Sequence, residues 1–434
     1  MTLLLAGPAF IALSFALMLG RVEPFATFFY QFAWYGLIFT FDQLIRRRQG
    51  SSLIAACGPG FLLLLFWSAV AWYFFELVNL RLQNWYYVFV ADSQALRFLG
   101  TVVAFATVFP GIFWIDHYLA LRGVAAQVRG KPLRFTAAGL RNLQLAGLAC
   151  LALPLLWPTY FFPLVWLALV LITAPANHRR GIEDLLRQLE RGEYGPLLRL
   201  LLAGLVAGFF WESLNFWARA KWIYTVPFFD EFKLFEMPLA GFLGFPPFAV
   251  ECAVLYRALV WRGLAPAFGA YTAPEPRPAG PVLRWTLLVL AALFCATTHF
   301  FMDRQTTTSV TPRIEALQGL EPGVKSLLEM HQVRYLTDLE GWQGKGLWQR
   351  LEAELAPPQL AELRRIAQLY LHQGIGAEYG NLLWQAGIRS AAELGQVPAE
   401  ALLHRLSALP HRRLPTLAQV QVWVRRAPRE GNLR

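Results

Sequence analysis

Charge is what this chain has least of. Only 15% of its 434 residues are Asp, Glu, Lys or Arg, against about a quarter in an ordinary soluble protein. The deficit is local: residues 1–302 are apolar runs joined by short basic loops, whereas 303–434 have a soluble composition. A single soluble globule is therefore excluded. Cysteine is also scarce. Cys57, Cys150, Cys252 and Cys295 lie in or beside apolar runs without a Cys-x-x-Cys pair, so they read as small core residues. The seven histidines show neither HxxxH nor HExxH spacing, so no metal site is expected. Walker, dinucleotide and GxSxG motifs are missing too, which removes support for ATP-driven, redox and serine-hydrolase chemistry, and no cofactor is expected. No basic segment precedes the first apolar run, so the first helix is expected to remain rather than be cleaved.

What is present is hydrophobic length. About 20 apolar residues cross a bilayer as a helix. Candidate spans lie near 3–20, 24–43, 59–80, 97–119, 140–156, 159–175, 197–216, 236–258 and 284–302. The expected fold is all-α: a polytopic transmembrane bundle of about nine spans over 1–302, with a small all-α soluble domain at 303–434. Prolines such as Pro110, Pro154, Pro163 and Pro246 are expected as kinks sheltered by neighbouring helices. The loops near 44–58, 122–141, 176–199 and 257–284 hold 17 Lys and Arg, and the opposite loops hold six. Basic loops stay cytoplasmic. The N-terminus is therefore expected inside a bacterial cytoplasmic membrane and, with nine spans, the C-terminal domain outside.

The chain also repeats itself. Glu76-x-x-Asn79 and Glu212-x-x-Asn215 are 136 positions apart, as are Phe109-Pro110 and Phe245-Pro246. Trp85-x-Tyr87 returns as Trp222-x-Tyr224 at an offset of 137. The expectation is a parallel four-plus-four repeat, 24–156 and 159–302, preceded by one extra helix.

Carboxylates inside spans are costly unless paired or facing water, and so mark sites by default. Glu76 and Glu212 are the candidate acids, each with an Asn (Asn79, Asn215) on the same helix face. The bland alternative is a buried hydrogen bond tying the repeats together. Arg81, Lys221, Trp222 and Tyr224 follow in the adjoining loops, with Asn84 and Arg219. Glu236 is expected to open the next helix, where a capping role competes with a site role. His299 and Asp303 end the ninth span at the same level. Together these groups are expected to line an outward-opening cavity where the repeats meet, although most such tryptophans and tyrosines anchor a bundle at the interface. Asp42, Asp116 and Glu251 lie toward the inner ends, with arginines nearby.

In the tail, Gln373-Gly374-Ile375-Gly376-Ala377-Glu378-Tyr379-Gly380-Asn381-Leu382-Leu383 followed by Ala386-Gly387-Ile388 resembles a helix-hairpin-helix motif. It is similar to the tandem hairpin domains of many bacterial proteins, with a degenerate copy at 317–323. That resemblance covers roughly 313–426 and implies a turn at Gly374, Ile375 and Gly376 whose following amides can hold a DNA phosphate. Residues 304–434 carry 16 basic against 12 acidic residues, and Glu378 sits in that turn. DNA binding is therefore the lesser expectation, and a protein partner the greater.

In the membrane region, the repeated Glu, Trp-x-Tyr and Pro pattern, with Phe245-Pro246-Pro247-Phe248-x-x-Glu251, resembles the lycopene-cyclase type of carotenoid enzyme, whose proline–acidic–acidic motif is absent. The resemblance implies a buried acid, Glu212 or Glu76, protonating a double bond between aromatic walls Trp222 and Tyr224. The leading expectation is binding or acid–base processing of a lipid or isoprenoid drawn from the membrane. A transporter using the repeat interface is one alternative. The other is a membrane anchor for the hairpin domain, in which intramembrane carboxylates have no functional role.

Overall fold

The computed structural model describes residues 2–228, 232–273 and 275–427; Met1 and 428–434, at the outer limits of the two expected regions, lie outside them. The bundle begins with α1 (Thr2–Leu19), α2 (Phe25–Gln49), the short α3 (Leu53–Cys57), α4 (Gly60–Leu82), strand β1 (Trp85–Val88), α5 (Gln94–Phe105) and α6 (Val108–Leu121). It continues with α7 (Ala137–Leu156), α8 (Pro158–Phe161), α9 (Val165–Arg179), the short α10 (Leu185–Glu190), α11 (Gly195–Trp217) and β2 (Lys221–Tyr224). The two-residue strands β3 (Lys233–Leu234) and β4 (Met237–Pro238) follow, then α12 (Phe245–Trp261) and α13 (Pro281–Gln305).

The fold is all-α apart from these short strands. Among the described residues, seven helical segments are long and apolar enough to span a membrane: 60–82, 94–121, 137–156, 158–179, 195–217, 239–261 and 281–305. Two of the nine expected segments fall short of that standard. The apolar stretch of α1, Leu3–Leu19, is shorter, and α2 carries Gln31, Asp42, Gln43 and three arginines. The two nevertheless pack along each other, Gly7 so close to α2 that a Cβ there would lie 2.8 Å from the Gly36 carbonyl. Pro110 and Pro246 stand in the first turns of α6 and α12, where the missing N–H costs little, just after breaks within the spans 94–121 and 239–261. Pro154 lies inside α7.

The element order runs twice through helix, helix, short helix, helix, strand and a helix entered through a break. α1 packs on α2 as α7 packs on α9, and α2 on α6 as α9 on α12. β1 and β2 join the halves as an antiparallel ribbon, pairing Trp85 with Tyr224 and Tyr87 with Trp222 about a local two-fold between Tyr86 and Ile223. The basic loops gather at the opposite end, where Gly60 meets Pro266, Gly195 meets Ala125 and Gly269 meets His117.

The tail comprises α14 (Pro322–Met330), α15 (Gly341–Glu354), α16 (Pro357–Leu371), α17 (Gly376–Gln385), α18 (Ala391–Leu394), α19 (Ala399–Ser407) and α20 (Leu417–Arg426). Its own core holds Leu328, Leu336, Leu363, Ile366, Leu383, Leu402 and Trp423, each such side chain contributing roughly 1.5–3 kcal/mol by burial. The tail sits on the ribbon end of the bundle. Residues 306–311 run alongside β1 through parallel bridges, Tyr87 with Thr307 and Val90 with Val310. Arg21 and Arg219 reach Asp338 on the tail, and Arg426 lies 3.8 Å from Glu236.

Candidate functional site

The site grows from two similar corners at the ends of α4 and α11. Each helix ends in an Asn whose side chain is fully buried. Asn79 Nδ2 donates to the Trp85 carbonyl at 2.9 Å, and Asn79 Oδ1 accepts from Asn84 N at 2.8 Å. Asn215 does the same with the Trp222 carbonyl and amide, both at 3.0 Å. An amide side chain offers both a donor and an acceptor, so one residue satisfies both backbone groups and turns the chain from helix into ribbon.

One turn earlier sit the carboxyls, both with no exposed surface. Tyr87 donates to Glu76 Oε1 at 2.5 Å, joined by the indoles of Trp72 at 2.9 Å and Trp85 at 3.0 Å. Tyr224 donates to Glu212 Oε1 at 2.7 Å. The other oxygen of each, Oε2, is buried without a hydrogen-bond partner.

Between the halves, beneath the ribbon, lies a cavity of about 160 Å³, on the order of ten water-sized occupants. Its walls are mostly aromatic: Trp72, Trp85, Trp166, Trp211, Trp222, Tyr87, Tyr224, Phe105 and Phe248. Ring contacts knit the wall together, Trp72 to Trp211 at 4.8 Å and Tyr30 to Trp222 at 5.2 Å. The polar lining includes Asn84, Lys221, Arg97, His299, Asp303 and Thr307. Arg97 grips Asp303 with two donors, at 2.6 and 2.9 Å. Lys221 is bound to Glu236 at 2.8 Å.

The expected site residues therefore divide. Lys221, Trp222, Tyr224, His299 and Asp303 line one cavity. Glu76 and Glu212 stand one layer behind it, Glu76 reaching the wall through Tyr87, Trp72 and Trp85 and Glu212 through Tyr224. Asn79 and Asn215 hold backbone. Arg81 is exposed and outside the cavity, and Arg219 turns to the tail, hydrogen-bonded to Thr337 and placed over the Tyr335 ring. Glu236 does not itself start a helix: it sits in the turn between β3 and β4, three residues before a 3-10 helix, Leu239–Gly244, that leads into α12 at Phe245. Tyr87, Trp85, Trp72 and Arg97 are added by the structure. The first two were marked in the sequence by the repeated Trp-x-Tyr; Trp72 and Arg97 carry no local signal.

The inner acids lie outside this cavity. Asp116 pairs with Arg199 at 2.7 Å and accepts from Tyr271. Asp42 pairs with no arginine among the described residues; it caps α3 through Ser52, Leu53 and Ile54 and accepts from the Trp114 indole. Glu251 accepts the Leu169 amide at 2.8 Å.

In the tail, the Gly374-Ile375-Gly376 turn joins α16 to α17 but does not face solvent. All three residues are buried. Gly374 has φ +73°, and a Cβ there would lie 2.1 Å from Val88 of β1; one on Gly376 would lie 2.4 Å from Ser309. Tyr86 of β1 donates to the Gln373 carbonyl at 3.0 Å. The turn expected to hold a DNA phosphate thus packs on Val88 of β1 through Gly374 and on Ser309 through Gly376.

No curated protein and no solved structure matches the chain. Residues 349–430 match a family described as a domain of unknown function, DUF4332, so the C-terminal region carries a DUF4332 domain.

Proposed function

We propose that this protein binds a lipid or isoprenoid molecule in the aromatic cavity between two similar halves of a bacterial cytoplasmic-membrane bundle. The observation that carries this reading is the cavity itself: an apolar, largely aromatic chamber with a few polar groups at one end suits an apolar small molecule. Element order supports units running 2–121 and 137–261, one helix earlier than the repeated sequence positions suggest, with α13 standing outside both. The charge of the loops supports a cytoplasmic basic end, which puts the DUF4332 domain outside. There the tail packs over the ribbon, which leaves the lipid side for ligand entry.

The test is to purify the full chain in mild detergent and identify the lipids that accompany it. A tightly held apolar lipid is expected with the wild type and absent from Ala104→Phe, which fills the cavity. Equal lipid content in both would overturn the reading. Cysteine labelling from either side of intact cells, at an exposed tail position such as Glu329, checks the outside placement.

A second reading is favoured by the two Tyr–carboxyl pairs. Tyr87 and Tyr224 line the cavity with a buried carboxyl behind each hydroxyl, an arrangement suited to passing a proton to or from a bound ligand. Comparison of lipid extracts from cells carrying wild type, Tyr87→Phe and Tyr224→Phe tests it; unchanged extracts leave binding alone.

A further inference from the structure

We infer that the ligand of this cavity is a neutral lipid alcohol, whose hydroxyl is read by His299; the inference rests on the binding reading above. It follows from how the cavity's polar end is already paired. Arg97 gives two donors to Asp303 and two more to the carbonyls of Ala91 and Asp92, four of the five N–H groups it has. Lys221 is held by Glu236. Both cations lining the cavity are thus matched by a carboxylate, and neither awaits an anionic headgroup. An ionised phosphate or carboxylate brought there would have to break one of these pairs or stay uncompensated in an apolar chamber.

His299 differs from these paired charges. It is 4% exposed and lines the cavity, yet its Nε2 has no hydrogen-bond partner in the protein. The ring is positioned by Tyr73, whose hydroxyl lies 3.4 Å from Nδ1, and by Phe98, whose ring centroid is 4.9 Å away. In a neutral imidazole one nitrogen donates and the other accepts. Whichever role Tyr73 assigns to Nδ1, Nε2 takes the opposite one. A hydroxyl both donates and accepts, so it satisfies Nε2 in either tautomer. An ether meets only one tautomer, and a hydrocarbon end meets neither.

The experiment uses the full chain in lipid nanodiscs and one brominated twelve-carbon chain ended in turn by hydroxyl, methyl ether, carboxylate or phosphate. Bromine quenches the cavity tryptophans, and the signal counted is the part lost in Ala104→Phe. The alcohol is expected to bind about tenfold more tightly than the ether, the worth of one buried hydrogen bond, and both charged ends more weakly than the alcohol. His299→Phe is expected to bring alcohol and ether within about twofold of each other, while His299→Gln keeps most of the preference because it retains a donor and an acceptor. Tighter binding of phosphate or carboxylate, or an alcohol preference that survives His299→Phe, overturns the inference and leaves the binding reading standing. If none of the four chains is bound, both fall together.

Discussion

The two corners of the ribbon share a backbone and differ in what surrounds the carboxyl. Asn79 and Asn215 make the same pair of bonds, and each Tyr of the repeated Trp-x-Tyr reaches the Glu of its own half. Glu76 collects two further indole donors, whereas Glu212 has Tyr224 as its side-chain donor. The cause can be read one turn earlier. At the 136-residue offset Trp72 corresponds to Gly208 and Ser68 to Gly204. In the first half the Ser68 hydroxyl bridges α4 to the Phe109 amide and the Phe105 carbonyl. In the second half α12 comes directly onto α11: a Cβ on Gly208 would lie 2.4 Å from the Phe245 ring, and one on Gly204 2.5 Å from the Phe245 carbonyl. The scaffold is shared, and the chamber wall is where the halves diverge.

The largest effect should come from removing the better-furnished acid. Glu76→Leu leaves three buried donors without their acceptor, a loss of roughly 3 kcal/mol or more, against about 1–3 kcal/mol for Glu212→Leu with one orphaned donor. Thermal unfolding in mild detergent measures both. Equal losses would mean that the indoles are wall and nothing more, and the contrast between corners would disappear. Next come Asn79→Leu and Asn215→Leu, each leaving a buried amide and a buried carbonyl unmet, about 2–4 kcal/mol apiece. Here the two corners should agree. A much milder result for one of them would show that its half does not depend on the ribbon.

These contrasts also mark what the sequence makes legible. Hydrophobic length and basic loops give the bundle, its ends and the boundary near Asp303, because those follow from bilayer thickness and charge alone. The repeat exposes the Glu, Asn and Trp-x-Tyr positions, but spacing cannot say which member faces a cavity. Glu76 and Glu212 read as lining groups and stand behind tyrosines, since a carboxyl one helical turn from a strand is within reach of that strand's hydroxyl. Glu236 reads as a helix start because Pro238 follows it; the helical span does open just past that proline, and the β3–β4 turn leaves Glu236 outside it. Arg97 and Asp303, 206 residues apart, meet only in the folded chain.

The tail treats the corners unequally as well, since it inserts its Gly-Ile-Gly turn against β1 while it meets the second half through Arg219 and Glu236. Gly374→Ala tests the first contact. It puts a methyl into Val88 at a φ that L residues avoid, a loss of about 1–3 kcal/mol. Limited proteolysis should then find the tail released from the first corner. An unchanged digestion pattern would show that the remaining contacts, Arg21 with Asp338 and the 306–311 bridges among them, hold it without the turn.

The smallest effect is a single proton at the same turn. His372 is held by a 2.8 Å hydrogen bond to the Trp423 carbonyl, and burial lowers its pKa below the ordinary imidazole value, about 6.5. The opened tail therefore takes up a proton as pH falls below about 6.5, while the closed tail resists it. Stability is full above that pH and declines as pH drops toward the lowered value, because the opened state binds more protons across that window. The difference between wild type and His372→Gln isolates the histidine. Proteolysis of the wild-type tail should quicken from pH 7.5 to 5.5 by more than that of the variant; parallel curves would place the proton elsewhere and leave β1 without an acid-sensitive hold on the tail.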